Sequence, residues 1–504
     1  MAEAQQVRRS LVLAGGGMRV AYQAGAIRAL EEGGITFSHA DGASGGTINL
    51  AMLLSGQSPR EMCDRWRDLN VHDFVHMLPM KDYLKPFGPR ALGSADGLRQ
   101  RVFPALGIDI AELTKATHLE GSFNVCNFAS KLNEVIPHTR MTLDLLTACV
   151  SLPIFMPAVE HNGMPYVDSV WIQDANCMEA VRRGADEIWV IWCIGNTREY
   201  RESPFEQYVH MIELSANSAL FEELGQIRQV NEAVARGERP YGRSRPVRVH
   251  LIKPEYPLPL DPDLYFGRIS TAALIDMGYR DACTYISGAK PEGIALGPDA
   301  TRMREPKLGL AFREVMHGPF AMHELDPRAG ARRGRDLRQE LTLHASIEVT
   351  DIERFVSDPQ HAGQLTGRVD FAPLGRDLPS KAGVFNLMAP GDAHTKYMVY
   401  ELGFEAGGQD YYLAGAKELR NQRGLDLWSD TTTLFSRLHL GRDKSGPVVG
   451  AGVLRLSPLA LLRMMLTLSP RNERSLLDRA AALGKFGKFF SASLYDSYVH
   501  DAQA

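Results

Sequence analysis

LVLAGGGMRVAYQAGAIRALEE, residues 11–32, runs through a strand, a glycine turn and a helix without a break. Leu11–Ala14 is a short uninterrupted apolar run, the pattern of a strand covered on both faces. From Ala21 to Glu32 the apolar residues recur at helical spacing, with Ala24, Ile27 and Leu30 on one face. Between the two stand Gly15, Gly16 and Gly17. Consecutive glycines let neighbouring backbone N–H groups turn towards one point, and the N-terminus of the helix that follows favours negative charge there. Such a loop can hold an oxyanion or a phosphate, and Arg19 can add a guanidinium. The plain alternative is a tight turn with no ligand. A dinucleotide site fits poorly, because Val20 replaces the third glycine of G-x-G-x-x-G and no strong strand pattern carries Asp41 to the ribose position.

Working outward, the same alternation continues. Thr47–Leu54 is an apolar helical candidate, Glu187–Ile194 (EIWVIWCI) reads as a central parallel strand, and Val247–Ile252 as another. Glu179–Arg183 reads as the end of a crossover helix closed by Gly184. Alternation of this kind predicts an α/β domain with a mostly parallel sheet over residues 8–295. A long amphipathic helix is expected over Phe205–Ala235, and its Met211, Leu214, Leu220 and Leu224 are expected to face the core rather than a bilayer. After about residue 295 the pattern changes. Pro291, Gly293, Gly297 and Pro298 punctuate the chain, as does the Gly/Arg-rich stretch RAGARRGR at 328–335. Period-two alternation then takes over, with Leu341, Leu343, Ala345, Ile347 and Val349 apolar, and Met398, Tyr400, Leu402 and Phe404 likewise. A β-rich, mainly antiparallel domain, a sandwich or open barrel, is expected over 320–504. Trp428, within the cluster Asp426–Thr433, reads as core or turn packing.

Two further stretches carry chemistry. Gly42-Ala43-Ser44-Gly45-Gly46 is a G-x-S-x-G, in which small neighbours permit a sharp strand-to-helix elbow that exposes the serine oxygen at the start of a helix. Asp168 closes Gly163-Met164-Pro165-Tyr166-Val167-Asp168, where an acid at a strand end can meet Ser44 if the two strands are neighbours in one sheet. A lone aspartate at a turn is more often a structural cap.

Taken together, GGGMRV at 15–20, GASGG at 42–46 and DSV at 168–170 resemble, in order and spacing, the patatin-like phospholipase family. ACVSLPIFMP at 148–157, Gly184-Ala185-Asp186 before EIWVI, and Ser270–Ala282 with Gly278-Tyr279 extend the likeness over about residues 8–290. The resemblance implies a three-layer α/β fold and hydrolysis of acyl esters in phospholipid, lysophospholipid or glyceride. It implies a catalytic dyad of Ser44 and Asp168, an oxyanion hole from Gly15, Gly16, Gly17 and Arg19, and an elbow shaped by Gly42 and Gly46. No metal or cofactor is implied. Val20 stands where the family has glycine and would restrict the loop or narrow the oxyanion pocket. Ser169 and Val170 replace small residues after the acid, and a β-branched residue is unsuited to a turn at positive φ. These departures keep open a second identity, a catalytically inactive lipid-binding or scaffold protein. A Ser-His-Asp arrangement also stays open, since His210 and His250 follow Asp168 in the required order.

Bulk composition narrows the partners. Fifty-six basic and sixty acidic residues leave a net charge of -4, which gives no support to nucleic-acid binding. The six cysteines, Cys63, Cys126, Cys149, Cys177, Cys193 and Cys283, form no CxxC pair, which suits a reducing, cytoplasmic setting and argues against structural zinc. Only Ser10–Ala14 separate Arg8 and Arg9 from the glycine run, too short an apolar core for a secretory signal. Leu456–Leu468 is apolar but interrupted by Arg463, and no run reaches the roughly 18 residues of a membrane span. The expectation is a soluble protein that meets acyl lipid at a membrane surface without crossing it.

Overall fold

The structure, a computed structural model, describes residues 7–74, 76–77, 91, 93–200, 202–261, 270–305, 307–390, 396–419, 432–457, 468–472 and 476–499. Trp428 and most of Leu456–Leu468 lie outside the described residues. The chain divides into two compact units, Met1–Glu305 and Pro306–Ala504.

Among the described residues, the main sheet of the first unit has eight strands: β1 (Arg9–Leu13), β2 (His39–Gly42), β3 (Glu120–Asn127), β4 (Leu132–Pro137), β5 (Val159–His161), β6 (Met164–Val167), β7 (Glu187–Ile191) and β8 (Arg248–Ile252). They are ordered β8-β7-β1-β2-β3-β6-β5, with β4 also paired to β3. From β8 to β3 the strands are parallel, and β4, β6 and β5 add an antiparallel edge. The apolar run at 11–14 is explained by its position. Leu11 and Leu13 pack into one core with Ala21, Ala24 and Leu30 of α1 (Ala21–Glu32), whereas Val12 and Ala14 pack into the other with Val181, Leu220 and Leu224. A strand with helices on both faces has no polar side, and each fully buried leucine there contributes roughly 1.5–3 kcal/mol.

Helices α2 (Gly46–Leu54) and α3 (Pro59–Asp68) follow the elbow, and a later helix, α4 (Pro204–Ala235), is divided along its length. Leu220 and Leu224 are fully buried as expected, but Met211 and Leu214 are 51% and 70% exposed, so the core face covers only the C-terminal half. Amphipathic spacing alone does not show where along a helix its neighbours stop.

Among the described residues, the second unit is an antiparallel barrel whose ring has eight strands, β9 (Gly309–Met322), β10 (Glu340–Val349), β11 (Ala362–Phe371), β12 (Gly375–Pro390), β13 (Lys396–Ala406), β14 (Gln409–Leu419), β15 (Thr433–Leu440) and β16 (Val448–Arg455), with a short ninth strand, Ser469–Arg471, on β9. Each pairs with the next, and β9 pairs with both β10 and β16, which closes the ring. Closure removes the free strand edges that an open sheet would present. Both period-two runs appear as alternating buried residues, Leu341 to Val349 and Met398 to Phe404. The Gly/Arg-rich stretch at 328–335 lies within an α-helix, Pro327–Leu337. Asp326 caps it, and its Gly330 and Gly334 lie against strand backbone, where a Cβ would come within 2.0 Å of the Ala451 carbonyl and 2.4 Å of the Phe320 nitrogen. Here glycine serves close packing rather than a turn.

Candidate active site

The elbow stands between β2 and α2. Ser44 has φ 47, a left-handed conformation that costs a non-glycine residue free energy and persists only where its surroundings enforce it. The Ala43 amide donates to the Leu13 carbonyl at 3.1 Å and the Gly46 amide to the Ala43 carbonyl at 2.8 Å. Thr47 donates to the Ser44 carbonyl through its amide (3.0 Å) and its hydroxyl (2.5 Å). Gly46 has to be glycine, because a Cβ there would lie 2.1 Å from the Leu13 carbonyl oxygen. Gly42 is less constrained, with the nearest atom 3.1 Å from its would-be Cβ.

Asp168 arrives from a strand that does not adjoin β2. Strand β3 lies between β2 and β6, so the two residues do not meet as strand neighbours. The Asp168 amide donates to Ser151, in the segment 148–157, at 3.1 Å, and the 3₁₀ turn Ser169–Trp171 follows. Ser44 Oγ donates to Asp168 Oδ2 at 2.7 Å and the Val170 amide to Oδ1 at 2.9 Å. Burial pushes the Asp168 carboxyl up to about 7, although the Ser44 and Val170 hydrogen bonds oppose it. The expected conflict at Val170 does not arise. Asp168 has φ -52, and neither Ser169 nor Val170 adopts positive φ, so a β-branched residue fits.

Across from the elbow lies the glycine loop. A Cβ on Gly15 would sit 2.8 Å from Ser44 Cβ, and one on Gly45 would sit 2.7 Å from the Gly17 carbonyl. Gly17 has φ 58, a conformation that suits glycine. The loop amides are not equivalent. Gly15 N–H donates to Asp174 Oδ2 at 3.2 Å, and Met18 N–H to Asp261 Oδ1 at 3.1 Å. Arg19 is buried, and its Nε donates to the Gly16 carbonyl at 3.0 Å, bracing the loop. Val20, fully buried at φ -65, precedes α1 in a helical conformation that needs no glycine. The restriction expected from its side chain is therefore not imposed on φ.

Sequence inspection missed the polar groups behind the loop. Gln23 Nε2 donates to the Ala14 carbonyl at 2.6 Å, Asn49 Nδ2 to the Val20 carbonyl at 2.9 Å and to Gln23 Oε1 at 3.0 Å, and Trp66 Nε1 to Asn49 Oδ1 at 2.8 Å. Their signal was an amide side chain among the buried residues of each of two helices. Asp174 was missed as well. The two candidate histidines are engaged elsewhere: His210 Nδ1 lies 3.0 Å from Glu213, and His250 stacks on Trp189 with Nδ1 3.2 Å from the Tyr285 hydroxyl. Among the described residues no group of three His, Cys, Asp or Glu is placed to hold a metal.

Residues 11–181 match the family model described as patatin-like phospholipase. This stretch is a patatin-like phospholipase domain. Ser44, Asp168 and the glycine loop all fall within the matched span of that domain, whereas β7, β8 and α4 complete the same unit beyond it. The chain is also similar to VipD from Legionella pneumophila, known from a crystal structure, at 12% identity over 56% of this chain and 67% of that one, with a TM-score of 0.32. No curated protein matches the chain. Among the described residues no helix is long and apolar enough to cross a membrane.

Proposed function

We propose that the patatin-like domain hydrolyses acyl esters of lipids through a Ser44–Asp168 dyad and an acyl-enzyme. The observation that carries this reading is the 2.7 Å hydrogen bond from Ser44 Oγ to a buried carboxylate, made at a strained elbow facing the glycine loop. A carboxylate with a pKa near 4 is a weak base for a hydroxyl, and one near neutrality is better matched. As Oγ attacks the ester carbonyl, its proton passes to Asp168 Oδ2 and the oxyanion forms opposite the loop. Gly15 and Met18 donate to side chains, so the amides of Gly16 and Gly17 are assigned to that oxyanion, with Arg19 supporting them through the Gly16 carbonyl. The leaving alcohol takes the proton from Asp168, which then deprotonates the water that releases the fatty acid and restores Ser44. Negative φ at Val20 and Val170 supports the active reading, because neither side chain forces the backbone out of an ordinary conformation.

The test is an alkyl fluorophosphonate followed by peptide mapping, alongside product analysis on phospholipid, lysophospholipid and glyceride. A single adduct on Ser44, fatty acid release by the wild type and none by Ser44→Ala are expected. An adduct elsewhere, or release that survives Ser44→Ala, overturns the assignment.

A further inference from the structure

Asp174 is fully buried six residues beyond Asp168, and it holds an unusual place between loop and elbow. Its Oδ2 accepts the Gly15 amide at 3.2 Å, while its Oδ1 is buried with no hydrogen-bond partner. A Cβ built on Gly15 would lie 2.2 Å from that Oδ1 and 2.8 Å from Ser44 Cβ. The orphan oxygen therefore lies on the Ser44 side of the loop, and only a glycine at position 15 leaves room for it. A buried polar atom without a partner is destabilising, so its retention calls for an explanation.

We propose that Asp174 is a positioning residue of the hydrolytic site, holding the glycine loop through Gly15 while its second, unpartnered oxygen is turned to the Ser44 side of the loop. This inference rests on the hydrolytic reading above and adds a second acid to it. Since Oδ2 accepts an N–H, the proton of the neutral acid belongs on Oδ1, where it can be donated into the pocket. Burial and the nearby Asp168 carboxylate push the Asp174 carboxyl up to about 8, against the Gly15 hydrogen bond and the Arg19 guanidinium. Two other titratable groups lie on adjoining segments. The Cys193 thiol, whose Cβ abuts Gly16, is pushed up to about 12 by burial and stays neutral. Glu223 of α4, bonded to Gln173 at 2.7 Å, is raised to about 7 by burial. Ionisation of Asp174 would place a second negative charge beside both Asp168 and the forming oxyanion, and would remove the donor. Activity should thus rise as Asp168 ionises and fall again as Asp174 does, the pair giving apparent values that belong to both.

The test is the pH dependence of kcat and KM on a short soluble ester for the full chain, with Asp174→Asn and Asp174→Ala. The wild type should show a falling limb on the alkaline side. Asp174→Asn keeps an acceptor for Gly15 and a donor for the pocket, and should lose that limb. Asp174→Ala should lower kcat on the order of 100-fold with little change in KM, and Asp174→Asn should recover most of that loss. A wild type without an alkaline limb, or Asp174→Asn with the limb intact, overturns the proposal whether or not Asp174→Ala folds. A wild type that neither hydrolyses esters nor labels at Ser44 overturns the hydrolytic reading instead.

Discussion

Asp168 in the first unit and Glu314 in the barrel are both almost wholly buried, yet they are satisfied in opposite ways. Glu314 accepts from the Tyr400 hydroxyl at 3.1 and 3.0 Å and lies 3.5 Å from the buried Lys417 ammonium, which also donates to Tyr400 at 3.2 Å. Burial and the adjacent Glu314 push the Tyr400 phenol well up, so it remains a donor. Among the described residues Asp168 receives only a hydroxyl and an amide, both neutral donors. A buried acid with its own cation beside it is paired within the core and serves the packing of the barrel. A buried acid with neutral donors is left to titrate near neutrality, where it can exchange a proton with a substrate.

The largest effect is expected where the neutral donors meet the chemistry. Asp168→Asn should lower kcat by about 10³–10⁴-fold on a soluble ester while circular dichroism stays unchanged. Activity comparable to wild type would move the base elsewhere, first to His210 or His250. The same residue gives a signed pH test. Its folded value of about 7 exceeds that of an unfolded carboxylate, so the native chain keeps the proton longer, and this group's contribution to stability falls as pH climbs from about 4 to about 7. Over that window kcat should rise, and Asp168→Asn should flatten the stability slope, measured by urea unfolding.

In the barrel the effect should fall on stability alone. Lys417→Met leaves Glu314 buried without its cation and should cost about 3–5 kcal/mol in the unfolding of the second unit, whereas Lys417→Met with Glu314→Gln should recover most of it. Soluble-ester activity should not follow either change. If the single substitution proves neutral, the triad is not the counterpart of Asp168 that the contrast requires.

A smaller effect is expected from separating the units. Among the described residues, every hydrogen-bond partner of Ser44 and Asp168 lies before residue 306, so residues 1–305 should fold alone and keep soluble-ester activity. Activity on vesicle lipid should drop about tenfold or more, a loss of about 1.4 kcal/mol or greater, if the barrel presents the lipid. Equal rates on vesicles would assign the barrel another use. Val20→Gly should change least: the backbone there is already helical, so kcat should stay within about threefold while thermal stability falls through lost burial.

Residues 11–32, the G-x-S-x-G at 42–46 and Asp168 made the first unit and its motif set legible, because strand and helix periods and glycine punctuation are local properties of a chain. The alternating runs at 341–349 and 398–404 likewise announced antiparallel strands, since period two is written in each strand separately. Closure of those strands into a ring depends on β9 meeting both β10 and β16, and no single strand encodes that pairing. The same holds at the site. Only the fold brings Asp168 to Ser44 around the intervening β3, gives Gly15 to Asp174, and spends Arg19 on the Gly16 carbonyl. Only the fold, too, sets Val20 and Val170 at negative φ, so that neither side chain strains its backbone. Residue type and spacing determine which groups the chain carries. Burial, hydrogen-bond partners and backbone angles decide what those groups can do, and they arise from contacts between segments far apart in sequence.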